Sequence, residues 1–237
     1  MRSLRFARAT NFTSTTPPMF RRSLAAALLA CAAMPLSAQM KHDDHDTKIE
    51  GAGALPAGWF GRADGKAKVE DAKFVAMGSG WHVTSGPAAI YWNDKSTAKG
   101  PFTASVKIRQ TKNPTHPEGY GIFLMGHDLS TDKQNYAYFL VRGDGKFMVN
   151  HRAGADIHKI VEWKDDAAVN KADAAGAATN TLTVDATKPD SLRLLVNGKQ
   201  VGAIEGSHLG GTDGIVGVRV NHNLDVHISD FVITPKK

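Results

Sequence analysis

Sulfur chemistry is almost missing from this chain: Cys31 is the only cysteine among 237 residues. A lone thiol closes no intramolecular disulfide and builds no Cys-rich zinc site. Glutamate is scarce as well. Beyond residue 38 it occurs only at 50, 70, 118, 162 and 205, and none of the five has an aspartate two positions on. No nucleophile elbow marks a serine hydrolase. The Gly143-Asp144-Gly145 and Gly210-Gly211 clusters lead into no helix, which excludes a phosphate cradle. There is no internal repeat and no long amphipathic helical period.

Excess positive charge is also missing once the chain is divided. The formal charge is +6, but residues 1–38 hold five arginines and no carboxylate, so 24 of the 29 basic side chains remain against 23 acidic ones. A near-neutral body lacks the concentrated basic surface that nucleic acid requires.

The first 38 residues read as a leader. From Met19 the sequence MFRRSLAAALLACAAMPLSA has a basic start at Arg21 and Arg22, an apolar stretch from Leu24 to Met34, and small residues at Ser37 and Ala38. That order is the pattern of a secretory signal peptide, with the start at Met1 or Met19, and it implies a periplasmic or extracellular destination. Cleavage after Ala38 would remove Cys31. The competing reading takes Leu28-Leu29-Ala30-Cys31 as a lipobox, with Cys31 carrying a lipid anchor. No later apolar run approaches the ~18 residues of a membrane span. Residues 39–54 read as a polar tether, and its His42-Asp43-Asp44-His45-Asp46 cluster lacks the fixed geometry and supporting shell of a metal site. Residues 55–237 read as one domain.

Within that domain the pattern is of about twelve short strands. Phe102 to Arg109 alternates, with Phe102, Ala104, Val106 and Ile108 facing in. Gly119 to Gly126 is apolar on both faces. Phe60 to Val69 and Lys73 to Met77 read as a first hairpin, and Asn197-Gly198 as a tight turn. The Ala-, Asp- and Lys-rich stretch from Lys164 to Asn180 predicts a short surface helix inserted between strands.

The segment Asn135 to Arg152 decides which side chains are free. A two-residue turn at Asp144-Gly145 would mix charge and bulk on both faces. A three-residue turn with Gly145 as a left-handed bulge pairs Arg142 with Lys146 and Tyr138 with Asn150, and separates the faces. Ala137, Phe139, Val141, Phe147 and Val149 then face a core; Tyr136, Tyr138, Leu140, Arg142, Met148, Asn150 and Arg152 face away. Ile215 to Asn221 divides in the same way, with Val216, Val218 and Val220 opposite Gly217, Arg219 and Asn221.

These patterns make an all-β chain, an antiparallel β-sandwich. The succession Phe-Thr-Ala-Ser-Val-Lys-Ile-Arg, Gly-Tyr-Gly-Ile-Phe-Leu, Tyr-Phe-Leu-Val-Arg-Gly-Asp-Gly-Lys, Leu-Leu-Val-Asn-Gly-Lys and Ile-Ser-Asp-Phe-Val-Ile, spread over Trp59 to Thr234, resembles the concanavalin A-like lectin/glucanase jelly roll. It is similar in particular to bacterial secreted domains labelled laminin-G-like or 3-keto-disaccharide hydrolases. The resemblance implies ligands on the concave sheet or its rim, which points to Tyr136, Tyr138, Arg142, Asn150, Arg152, Arg219 and Asn221 as ligand-binding residues. Aromatic faces stack on sugar rings, and planar Arg and Asn groups pair with hydroxyls, so carbohydrate or another polar small molecule is the expected ligand. Glycosidases need two carboxylates across the scissile bond. The Glu-x-Asp-x-x-Glu strand motif of family 16 glucanases is absent, so no catalytic residues are assigned. A hydrolase or lyase acting on a keto-glycoside, and a cell-envelope interaction protein, stand as alternatives. No cofactor is required. Calcium is common in related folds, and Asp128, Asp132 and Asn135 offer oxygens for it without forming a dense acidic loop.

Overall fold

The structure, a computed structural model, describes residues 46–50, 53–188, 190–205 and 210–236. The leader, Cys31 and residues 42–45 lie outside them. Fourteen strands follow in order: β1 (Trp59–Ala63), β2 (Lys73–Met77), β3 (Gly80–Thr84), β4 (Ala89–Ala98), β5 (Phe102–Gln110), β6 (Gly119–His127), β7 (Asn135–Arg142), β8 (Lys146–Ala153), β9 (Asp156–Asp165), β10 (Ala178–Lys188), β11 (Ser191–Val196), β12 (Lys199–Glu205), β13 (Gly214–Val220) and β14 (Asp225–Pro235). They form two seven-stranded antiparallel sheets, ordered β1-β4-β13-β6-β7-β8-β9 and β12-β11-β10-β5-β14-β3-β2.

The main core fills the space between the sheets. Tyr91, Ile122, Phe139, Phe147 and Val218 of the first sheet meet Val83, Phe102, Val106, Leu182, Leu194 and Val226 of the second. The β7–β8 hairpin has the three-residue turn: Arg142 pairs with Lys146 and Tyr138 with Asn150. Gly145 takes φ 91° and its N–H donates to the Arg142 carbonyl at 3.0 Å. β6 is buried from Gly119 through Gly126, and β5 alternates as its sequence requires. Asn197 and Gly198, both at positive φ, close the tight β11–β12 turn.

Three expectations are corrected. Among the described residues there are fourteen strands rather than about twelve. The first two do not form a hairpin, because β1 pairs with β4 in one sheet and β2 with β3 in the other. Between them a 3-10 turn at Val69–Asp71, closed by the Lys68 N–H on Asp71 Oδ2 at 2.8 Å, carries the chain across the sandwich. Hydrophobic alternation gives each strand a buried face but says nothing of which sheet supplies it.

Nor do residues 166–177 form a helix. Asp166 Oδ1 accepts the Ala168 N–H, and Asp173 Oδ1 accepts those of Ala175 and Ala177. Local side-chain acceptors of this kind compete with helical hydrogen bonds, and so short a helix has little cooperative support. The loop is instead fastened to Asn180. Asn180 Oδ1 accepts from the Asn170 N–H (2.8 Å) and Asn197 Nδ2 (2.9 Å). Its Nδ2 donates to the Asn170 carbonyl and to the Tyr120 hydroxyl, both at 3.2 Å. Asn180 thereby ties the second sheet to the first. Burial raises the Tyr120 hydroxyl to about 12, opposed in part by the Asn180 contact.

Candidate functional site

The outer faces of the two sheets differ. On the second sheet, Thr103, Ser105, Lys107 and Arg109 of β5 point outward and meet solvent. The outer face of the first sheet carries a second apolar cluster of Ile90, Trp92, Phe123, Leu129, Tyr136, Tyr138 and Leu140, joined by Met148, Trp163 and Ile215. The rings lie close together: Phe123 to Tyr136 at 5.3 Å, Tyr136 to Tyr138 at 5.7 Å, and Phe60 stacked on Trp92 at 6.2 Å. Among the described residues no helix or third sheet forms a layer on this side. Glycines make room for the rings. A methyl group on Gly217 would sit 2.4 Å from a Phe123 ring carbon, and one on Gly119 2.9 Å from the Trp163 ring.

Into this cluster β13 places Arg219, only 4% exposed. Its Nε donates to Asn221 Oδ1 at 3.1 Å, one terminal nitrogen to the Tyr136 hydroxyl at 3.0 Å, and the other to Asp64 Oδ2 at 2.6 Å. The guanidinium also lies 4.9 Å from the Tyr138 ring centre, within cation–π range. Asp64, just past the end of β1, is shared: Arg152 of β8 reaches the same Oδ2 at 3.3 Å. The Tyr138 hydroxyl accepts from Asn150 Nδ2 at 3.2 Å, while the buried Asn150 Oδ1 has no partner among the described residues.

The electrostatics follow from this arrangement. Burial alone would raise the Asp64 pKa, but the charge and hydrogen bond of Arg219, with Arg152 behind it, outweigh that and hold the carboxyl below its ordinary value. Arg219 is driven up despite its burial, through Tyr136 and Asp64. Burial raises Tyr136, so its phenol stays a neutral hydrogen-bonding group.

Six of the seven residues singled out from sequence therefore fall into one network: Tyr136, Tyr138, Asn150, Arg152, Arg219 and Asn221. They are less open than a solvated sheet face would be, since Tyr136, Tyr138, Asn150 and Arg219 are all buried. Arg142 stands apart. It forms a two-pronged ion pair with Asp144 and lies 4.5 Å from the centre of the Trp163 ring. Sequence reasoning missed Asp64, which sits in the turn segment Ala63-Asp64-Gly65-Lys66 and has no periodicity to mark it. The only signal was indirect: an arginine interrupting the apolar strand Gly214–Val220 needs a carboxylate when buried.

Two of the three residues considered for calcium are engaged separately. Asp132 pairs with Arg62 at 2.9 Å, and Asn135 Oδ1 contacts His151 Nε2 at 2.9 Å. Among the described residues no three His, Cys, Asp or Glu side chains gather as metal ligands would.

No protein-family model matches the chain, and no curated protein matches it in sequence. Solved structures do match in shape. The exoplasmic/lumenal domain of VIP36, in its Ca2+- and Man3GlcNAc-bound form, superposes with a TM-score of 0.52 at 9% identity, covering 76% of this chain and 84% of that one. A protein of unknown function with a galectin-like fold from Bacillus subtilis gives 0.51 at 12% identity, covering 74% and 88%. The Bacillus licheniformis β-glucanase gives 0.50 at 13% identity, covering 80% and all of that chain. The chain thus has the jelly-roll fold of the concanavalin A-like lectins and glucanases. At such identities the likeness defines architecture, and function rests on the site.

Proposed function

We propose that this chain is an exported carbohydrate-binding protein that uses the outer face of its first sheet and cleaves nothing there. The observation that carries this reading is the asymmetry of the two outer faces. One is mainly polar and exposed, as along β5, with only scattered apolar side chains such as Val75 and Val232. The other combines aromatic rings with an arginine, two amides and an ion-paired aspartate, the mixture of stacking surface and directional hydrogen bonds that sugars require. Hydrolysis would need a second carboxylate free to act beside the first. Asp64 has both oxygens committed to Arg219, and shares Oδ2 with Arg152.

A screen of immobilised glycans should give at least one ligand, with no turnover of neutral glycosides or keto-glycosides. Turnover of a keto-glycoside would replace this reading with a hydrolase or lyase. Recovery of a stable cell-envelope complex without any glycan binding would replace it with an interaction protein.

Export carries its own test. The mass of the protein recovered outside the cytoplasm should correspond to a chain beginning at Gln39. A mass corresponding to a lipidated Cys31 would move the protein to a membrane surface.

A further inference from the structure

Beside the Arg219 network, and opening to solvent, lies a cleft of about 320 Å3 whose lining includes Arg62, Asp132, Gln134 and Arg152. From its contents we infer that the carbohydrate recognised by this face is acidic, a glycan whose units carry a carboxylate, and that Arg62 and Arg152 hold that group. The inference rests on the sugar-binding reading above and narrows it to a substrate class.

Charge is the first ground. Two guanidiniums, those of Arg62 and Arg152, line the cleft against one carboxylate, Asp132, while the Arg219–Asp64 pair lies beside Arg152 outside the lining. Asp64 is largely taken up by Arg219, through both of its oxygens. Arg152 receives one contact from it at 3.3 Å and gives its Nε to the Gly154 carbonyl. Its side chain is only 12% exposed, and its contact is the longer of the two that Asp64 Oδ2 makes with arginines, 3.3 Å against 2.6 Å to Arg219. A largely buried guanidinium holding only a long, shared ion pair at the wall of an open cleft favours a further anion there.

Exchangeability is the second ground. Arg62 makes a single contact, from one terminal nitrogen to Asp132, whose side chain is fully exposed at 104%. Exposed pairs of this kind contribute little and break readily. Asp132 thus occupies the place of a ligand carboxylate without being locked into it. A planar carboxylate presents two oxygens to the arginine fork, a geometry that a neutral hydroxyl cannot match.

The third ground is an unused acceptor. Gln134 is 3% exposed and lines the same cleft, with its Oε1 buried and unpartnered. A group that bears hydroxyls beside its carboxylate would supply the missing donor, as a uronic acid does and a simple inorganic anion does not. The volume lies at the lower end of the ~300–1,000 Å3 usual for small-molecule sites, suiting one sugar unit.

Four probes test this by calorimetry: trigalacturonate, its fully methyl-esterified form, cellotriose, and a sulfated oligosaccharide. Because the acid makes a charge-assisted pair that the ester lacks, it should bind at least about tenfold more tightly than the ester, and the advantage should shrink as salt rises. Arg62→Gln should bring the acid-to-ester ratio towards one. Asp132→Asn removes the competing carboxylate and should tighten acid binding several-fold, an effect of opposite sign that a folding defect would not produce. Equal binding of acid and ester, or a ratio unmoved in both variants, overturns the inference. Binding of cellotriose alone would overturn it while leaving sugar binding intact, and binding of no probe together with a blank glycan screen would overturn both. If sulfated oligosaccharides bind and trigalacturonate does not, the site takes anions but the carboxylate assignment is wrong.

Discussion

Replacing Asp64 by alanine should lower the stability of the domain by about 3 kcal/mol, the scale seen when a buried ion pair loses one partner. The loss comes from what remains. Arg219 cannot shed its proton, is almost wholly buried, and would keep only neutral partners in Tyr136 and Asn221. Arg152 would lose its one carboxylate contact. A urea midpoint measured at pH 7 reads the effect directly. Combining Asp64→Ala with Arg219→Met should recover part of the loss, because the double variant leaves Arg152, but no longer the more deeply buried Arg219, without a carboxylate. The acid dependence should follow as well. Asp64 has a folded pKa below its unfolded value of about 3.9, so its contribution is present above that value and disappears as the pH falls through the folded one. Asp64→Ala should remove that component of acid destabilisation. A midpoint unchanged at pH 7 would mean that the network contributes nothing to the fold.

Asn180→Leu should cost about 2–4 kcal/mol, again because of what it strands. Leucine matches the volume but strips the Asn170 N–H and the Tyr120 hydroxyl of their Asn180 partner and leaves Asn197 Nδ2 with only the Ala168 carbonyl. The damage should be local before it is global. Hydrogen exchange should show residues 166–177 losing protection first, since Asn180 binds both the N–H and the carbonyl of Asn170. Uniform loss across both sheets, or none, would count against this role.

The contrast between these two sites marks the reach of the sequence. The β7–β8 hairpin was fully legible, because a period of two and a Gly at the bulge leave one arrangement that separates apolar from polar residues. The partition of β13 was legible for the same reason. Pairing between distant segments was not: β1 joins β4 across 25 intervening residues, and alternation contains no term for partner choice. The loop at 166–177 misled because its alanines favour helix in isolation, whereas Asp166, Asp173 and Asn180 capture its backbone through contacts that composition does not reveal. In the site itself, Arg219 announced itself by interrupting an apolar strand, and the tyrosines by the alternation that turns them away from the main core. Asp64 did not, since an aspartate beside a glycine reads as an ordinary turn.

The central claim is that the outer face of the first sheet, organised by Arg219, binds sugar. Titration of wild-type protein and the Arg219→Met variant with the tightest ligand from the glycan screen tests it most directly. The variant leaves Asp64 with Arg152 and partial access to water, so it should remain folded, with a cooperative melting transition. The account predicts at least a tenfold loss of affinity, about 1.4 kcal/mol. Wild-type affinity in a folded Arg219→Met variant would contradict it.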